Sequence, residues 1–368
     1  MTMKEPEFET FQASLLRWFD ASARDLPWRR NPSPYAVWIS EIMLQQTQVK
    51  TVLPYFLRWM KRFPDVEVLS RATSEEILKH WEGMGYYSRA ESIRRTALEL
   101  AANHGGALPR SYDELLKLPG IGPYTAGAIM SFAFNEPCPV LDVNVERVLV
   151  RVFNIEGRVK EASVHKLLVE KALRLIPEGN SGGFNQAMME LGATVCSAQK
   201  PRCPECPVRR HCESLRLGVV DHRPEPDKPK RTTPLQVAIG VLAHDGGILI
   251  QKRPPTGLMA GLWEFPGGKV EPGETPEDAL EREFLEELEL GVHAAGKIAT
   301  IRHSYTSFKV TLHAFDCRLR DGGRRDPVLH SAVEARWVEP GALDEYAFPS
   351  ANRKLINLLK KGDRQTKP

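Results

Sequence analysis

Apolar residues recur at three- and four-residue spacings from Phe8 to about Leu217, as in Phe11, Leu15, Trp18 and Phe19. That period marks helices with one buried stripe. Glycine and proline fall mainly between such stretches, for example over Asn31–Pro34 and Gly105–Pro109, as expected of connecting turns. The pattern predicts an all-α domain of several short helices over residues 1–221. After Leu235 the period changes. LQVAIGVLAH and GGILIQKR read as two short strands joined by a turn at Asp245–Gly247. Thr275–Leu288 reads as a helix, Ser307–Phe315 and Ala335–Val338 as strands, and Asn352–Lys361 as a last helix. An α+β domain is expected over 235–362. Between the two lies HRPEPDKPKRTTP, residues 222–234, whose four prolines and alternating charges predict an extended linker. Residues 363–368 are expected to be a disordered tail.

Composition adds exclusions. A chain of 368 residues has length for two domains, and 42% hydrophobic with 26% charged residues is ordinary globular usage. No apolar run approaches the ~18 residues of a membrane span. The acidic start, Met1–Thr10, lacks the basic and apolar regions of a signal peptide, so a cytoplasmic protein is expected. The net charge of +3 is spread over both halves. Bulk charge therefore announces no nucleic-acid module, and any such case must rest on local motifs.

Four of the six cysteines, Cys196, Cys203, Cys206 and Cys212, lie in one C-x6-C-x2-C-x5-C stretch, while Cys138 and Cys317 are isolated. Four thiolates this close in sequence can surround one inorganic centre. An iron–sulfur cluster suits the spacing better than a structural zinc, which more often uses two tight pairs. Upstream, LPGIGPYTAGAI (Leu118–Ile129) reads as helix, glycine-bracketed turn and helix. Gly120 and Gly122 would expose backbone N–H groups at a helix start, which holds a phosphate oxygen well. Asp142 follows about twenty residues on, in LDVNVERVL. Its plain alternative is a helix cap.

Hairpin, aspartate and cysteine loop together resemble the helix-hairpin-helix DNA glycosylases of the endonuclease III type. The stretch RDLPWRRNPSPYAVWISEIMLQQTQV (Arg24–Val49), with WEGMGYYSRA (Trp81–Ala90) and FNQAMMELGATVC (Phe184–Cys196), resembles the adenine DNA glycosylases of the MutY type. The resemblance covers about 8–217. It implies a [4Fe–4S] cluster on the loop 196–212, held by Cys196, Cys203, Cys206 and Cys212. It implies Glu41 as the acid that protonates adenine and Asp142 as the carboxylate that stabilises the sugar's developing positive charge. Such an acid must hold a proton near neutral pH. Apolar neighbours such as Ile39, Ile42, Met43 and Leu44 would raise its pKa. Two carboxyls with opposed protonation states follow the logic of glycoside hydrolysis.

The resemblance further implies Tyr124 and Asn144 in the pocket and Gln186 on the edge of the flipped adenine. Gln46, Thr47 and Tyr86 would sit at the gap in the duplex and the opposite base. Arg24 and Arg29, like Gly120 and Gly122, are assigned to DNA. Members that also nick the backbone carry a lysine where this chain has Tyr124. A phenol forms no Schiff base, so a monofunctional enzyme is expected. Val143 stands where the family usually has glycine. The expected partner is double-stranded DNA with adenine opposite 8-oxoguanine or guanine, bound by a monomer.

EFPGGKVEPGETPEDALEREFLEELEL (Glu264–Leu290) resembles the Nudix box, with Gly268, Glu274, Arg282, Glu283, Glu286 and Glu287 in register and Glu289 in place of a glycine. Glu283 and Glu287 share a helix face with Glu286 beside them, an oxygen set that suits Mg²⁺. The expected role is recognition of 8-oxoguanine, with Tyr305, Thr306 and Ser307 as the lesion-reading loop and Thr306 as the direct contact. The intact acids also raise a second function, nucleotide pyrophosphohydrolysis, with the helical domain then serving DNA binding.

Overall fold

A computed structural model of the chain describes residues 5–30, 32–227, 233–305, 308–320 and 326–365. Two compact units emerge. The first is formed by residues 1–71 and 95–229, the second by 72–94 and 230–368. Among the described residues no helix is long and apolar enough to cross a membrane.

The first unit is helical. Helices Glu5–Ser22, Val143–Phe153, Ala162–Leu175 and Ser181–Thr194 pool their apolar stripes into one core. Phe11, Leu15, Leu149, Phe184 and Leu191 meet there. The Pro34–Leu44 helix differs: every residue from Tyr35 to Met43 is buried. A helix apolar on all sides belongs inside a protein, and it carries Glu41 into the interior. Ser33 starts it by accepting the Ala36 N–H at 3.2 Å, with Pro34 in the first turn.

The second unit is an α+β sandwich. Its strands are β1 (Thr233–His244), β2 (Gly247–Lys252), β3 (Trp263–Glu264), β4 (Gly267–Lys269), β5 (Val292–Ser304), β6 (Phe308–Leu319) and β7 (Glu334–Val338). They run in the order β3-β2-β1-β6-β5, with β4 paired to β1 and β7 to β2. β1 and β6 are parallel, with Val237 opposite Leu312, and the other pairs are antiparallel. Side chains of β1 alternate between two cores. Ile239 and Val241 pack with Leu355 and Ile356 of the Ser350–Gln365 helix. Ala238 and Leu242 pack with Leu280 and Phe284 of the Pro276–Leu288 helix.

Four expectations need correction. The hairpin at 72–94, expected in the helical domain, belongs to the second unit. Lys79 Nζ donates to the Tyr346 carbonyl at 3.0 Å, Lys252 pairs with Glu75 at 2.6 Å, and Arg353 pairs with Glu82. The linker is docked through Asp227. Arg223 binds Asn154 and Glu156, Glu225 accepts the Gly157 N–H at 2.8 Å, and Asp227 pairs with Lys160. Strand β5 was not foreseen, because irregularities between Ala294 and Gly296 and between Lys297 and Ala299 break its two-residue period. The last helix continues to Gln365 rather than ending at Lys361, and 366–368 lie outside the described residues.

Candidate active site

A cleft of about 910 Å³ opens in the first unit, and it gathers residues scattered over the sequence. Glu41, Tyr124, Asp142, Asn144 and Gln186 line it, with Arg24, Arg29, Gln46 and Thr47. Glu41 is only 3% exposed. Burial pushes its carboxyl up to about 7, against the Tyr124 hydroxyl, which donates to Oε2 at 2.6 Å and favours the ionised form. The Asp142 charge adds to the rise and Arg29 opposes it. Burial also drives the Tyr124 phenol well above its ordinary value, so Tyr124 remains a neutral donor.

Asp142 caps the Val143–Phe153 helix. Its Oδ1 accepts the N–H groups of Asn144 at 3.0 Å and Val145 at 2.8 Å, and its Oδ2 accepts the Asn144 amide at 2.7 Å. The helix-cap alternative is thus correct as geometry, and it coexists with a place beside Glu41. Burial raises the Asp142 pKa, while these donors and then Arg147 oppose the rise. The Val143 side chain is 71% exposed in the first helical turn, and the backbone there has no left-handed φ that would call for glycine. Gly192 explains how close the next helix comes. A Cβ placed on it would lie 2.6 Å from Asn144 Cβ and 2.8 Å from the Asn144 carbonyl oxygen.

Human adenine DNA glycosylase is 34% identical over 96% of this chain and 74% of its own length. The adenine DNA glycosylase of Buchnera aphidicola from Acyrthosiphon pisum is 33% identical over 84% of this chain and 87% of its own. The chain belongs to the adenine DNA glycosylase family. Residues 39–174 match the HhH-GPD superfamily of base excision DNA repair proteins, and residues 237–358 match the NUDIX domain. Among solved structures, a thermostable thymine-DNA glycosylase superposes with a TM-score of 0.53 at 30% identity. It covers 57% of this chain and 97% of that one.

Within this glycosylase family member, two site residues escaped the sequence reading. Glu190 is fully buried and binds Arg24 at 2.7 and 2.9 Å and Arg29 at 2.8 Å. These contacts hold its carboxyl below the ordinary value against the cost of burial. The guanidinium groups assigned to DNA are therefore engaged at the wall of the cleft. Glu146 also lines the cleft, and burial with the nearby Asp142 charge pushes it up to about 7. Its spacing of four from Asp142 was the available signal.

Gly120 has φ of 75°, a left-handed turn that glycine adopts freely, whereas Gly122 is extended and faces open space. Gln46 and Tyr86 also have left-handed backbones, with φ of 54° and 49°. Tyr86 belongs to the second unit.

The four loop cysteines line one cleft with Val148, Leu191 and Val208. Arg151, 2% exposed, donates to Cys196 Sγ at 3.4 Å and to the Ser197 carbonyl at 2.7 Å. Burial pushes Cys206 up to about 12 and Cys212 to about 11. Arg147 joins this loop to the active site, donating to the Cys196 carbonyl at 2.8 Å and to Asn144 Oδ1 at 2.9 Å. Among the described residues no three His, Cys, Asp or Glu side chains converge on a single-ion site.

In the second unit Tyr305 packs inward. Its ring lies 4.7 Å from that of Phe308 and its hydroxyl accepts the Ala351 N–H at 3.4 Å. Thr306 and Ser307 lie outside the described residues. Glu283 presses on Gly268, where a Cβ would stand 2.2 Å from its carboxyl carbon. Gln251 donates to Glu287 at 3.0 Å, and Arg282 binds Glu274 at 2.6 Å and Glu286 at 2.9 Å. Glu289 caps the helix with a left-handed φ of 53°, which explains the glycine expected there, and pairs with His330 at 3.0 Å.

Proposed function

We propose that this enzyme removes adenine opposite 8-oxoguanine or guanine in double-stranded DNA, acting as a monomer. As a DNA glycosylase it hydrolyses an N-glycosyl bond. The observation that carries the mechanism is a buried carboxyl, Glu41, with a pKa near 7 in the same cleft as the donor-held Asp142. Protonated Glu41 delivers its proton to N7 of the extruded adenine, which makes the base a neutral leaving group. The bond electrons depart with the base. Asp142, ionised, stabilises the positive charge left on the sugar, and Asn144 holds that carboxylate in place. Water completes the hydrolysis and an abasic site remains. Gln186 reads the adenine edge, since an amide both donates and accepts. Gln46, Thr47 and Tyr86 offset the few kcal/mol of lost stacking and pairing. The lesion-reading role falls to the segment Tyr305, Thr306 and Ser307, with Thr306 as the direct contact and the inward-packed Tyr305 as its anchor.

The cysteine loop fits a [4Fe–4S] cluster: four thiols stand around one apolar cleft, with a buried guanidinium against a sulfur. Cys196, Cys203, Cys206 and Cys212 would hold it, and bound it would supply a rigid cross-link for the loop. The direct test is single-turnover adenine release from A:8-oxoguanine and A:guanine duplexes. Release by the wild type and its loss in Glu41→Gln supports the reading, and no release by the cluster-loaded wild type ends it.

A second reading concerns the Nudix-like acids. The buried Gln251 has its Nε2 committed to Glu287, while its Oε1 meets no donor. That orphaned oxygen beside Glu287 favours the alternative function, nucleotide pyrophosphohydrolysis with Mg²⁺ drawn to this acidic face, although among the described residues Glu283, Glu286 and Glu287 do not converge on one ion. Absence of 8-oxo-dGTP hydrolysis by the full chain with Mg²⁺ removes this reading.

A further inference from the structure

The turn that carries Tyr86 is built on an unusual backbone. Gly83, Gly85 and Tyr86 have φ of 92°, 76° and 49°, three left-handed positions within four residues. Gly83 and Gly85 adopt such angles freely, but a tyrosine in the left-handed region holds its place only when its surroundings define it. Part of that definition is local. Trp81 Nε1 donates to the Gly85 carbonyl at 2.9 Å, the Gly83 N–H donates to the Tyr87 hydroxyl at 3.1 Å, and the Arg89 guanidinium lies over both Trp81 and Tyr86 at 5.2 and 5.4 Å.

The remainder comes from the far end of the sequence. Glu82, on one side of the turn, accepts Lys79 Nζ at 2.6 Å, the Phe348 N–H at 3.0 Å and Arg353 Nε at 2.7 Å. Tyr87, on the other side, donates its hydroxyl to the Phe348 carbonyl at 3.3 Å. One residue, Phe348, therefore fastens both flanks of the turn. Its fully buried ring stacks on Phe265 at 5.7 Å, so the fastening point belongs to the core of the second unit. Arg353 is itself held by Asp344 at 2.9 Å and the Tyr346 carbonyl at 2.7 Å. The Glu82–Arg353 pair is largely buried, with side chains 14% and 19% exposed. A shielded, multiply bonded pair constrains geometry far more than a surface ion pair does. Tyr86, by contrast, is 38% exposed.

We infer that Glu82 and Arg353 are positioning residues that set the ring of Tyr86 and, through it, the choice of base opposite the adenine. Discrimination would then have two parts on one body: direct contact with the lesion, and a stacking ring held in place by the same fold. The inference rests on the reading of Tyr86 as a contact of the opposite base.

The test is a double-mutant analysis on the full chain. Single-turnover adenine release is measured from A:8-oxoguanine and A:guanine duplexes, and the readout is the ratio of the two rates. Glu82→Gln keeps an acceptor for the Phe348 N–H but loses the ion pair, and Arg353→Met loses it from the other side. Each is expected to lower the ratio about five-fold, a typical size for the loss of one buried coupling. Arg353→Lys should restore part of it. Tyr86→Ala should also lower the ratio, and Glu82→Gln should then add nothing. Thermal unfolding of each variant shows that the fold persists, and Glu82→Gln carries the test if Arg353→Met does not fold. A folded Glu82→Gln with an unchanged ratio overturns the inference, as does a loss that is equal with and without Tyr86. A wild-type ratio in Tyr86→Ala overturns the role of that ring and the inference with it. Failure of the functional reading looks different: the wild type then releases adenine from neither duplex.

Discussion

The cleft of the helical unit and the turn that leads into the acidic helix of the second unit use the same side chain in opposite ways. Glu41 sits in a helix buried on every side, with a neutral phenol as its hydrogen-bonding partner, and its pKa rises to about 7. Glu274 lies at the surface against Arg282 and the Glu271 N–H, and its pKa falls to about 2. One carboxyl is built to carry a proton near neutral pH, the other to remain charged. The residue type is silent on this difference, which comes from desolvation in one case and a permanent cation in the other.

The largest test of that contrast is Glu41→Gln, which keeps the shape and removes the proton. A general acid is worth about 10²–10⁴-fold, so adenine release under single turnover should fall by roughly that much. Release at the wild-type rate would mean that the raised pKa serves no chemistry. Next comes Gly192→Ala. The new methyl group meets Asn144 backbone and cannot be absorbed by a flexible side chain. Overpacking of this kind costs about 1–3 kcal/mol, seen as a lower denaturation midpoint, and it should slow release by displacing the groups that hold Asp142.

A subtler change separates the two partners. The Tyr124 hydroxyl favours ionised Glu41, so Tyr124→Phe should raise that pKa further. The alkaline limb of the pH–rate profile, where activity fades as Glu41 loses its proton near pH 7, should move upward. A downward move would reverse the assigned role of the phenol. The smallest effect is on stability. With a folded pKa above the unfolded 4.5, Glu41 binds its proton more tightly in the fold. The fold is then least burdened below pH 4.5 and loses stability as pH rises through about 7. Glu41→Gln removes that burden and should gain on the order of 1–3 kcal/mol over wild type at pH 8, with little gain at pH 4.5. Urea midpoints at the two pH values decide it.

What the sequence disclosed and what it hid follow from the range of the interactions. Glu41 and Asp142 were legible because their motifs are local, and the helix at 276–288 because its cap, Thr275, and its stripe are contiguous. The cap geometry of Asp142 leaves room for a role in the cleft, since the capping donors are what hold its carboxylate there. Glu190 was invisible because its partners lie 161 and 166 residues away. The allegiance of 72–94 was hidden for the same reason. Its helical period is correct, but a period does not say which core a helix joins.

That allegiance has a consequence for how the chain is made. Arg353 follows Glu82 by 271 residues. At ribosomal speeds of about 5–20 residues per second, the first half of the pair waits roughly 15–50 s for the second. During that interval the nascent chain displays a hairpin whose Leu78, buried in the finished protein beside Gly261 and Tyr346, lacks a C-terminal segment that does not yet exist. Birth of the enzyme therefore includes a stage with an uncovered apolar hairpin, and a chain arrested before Phe348 should be a better client for chaperones than the finished protein.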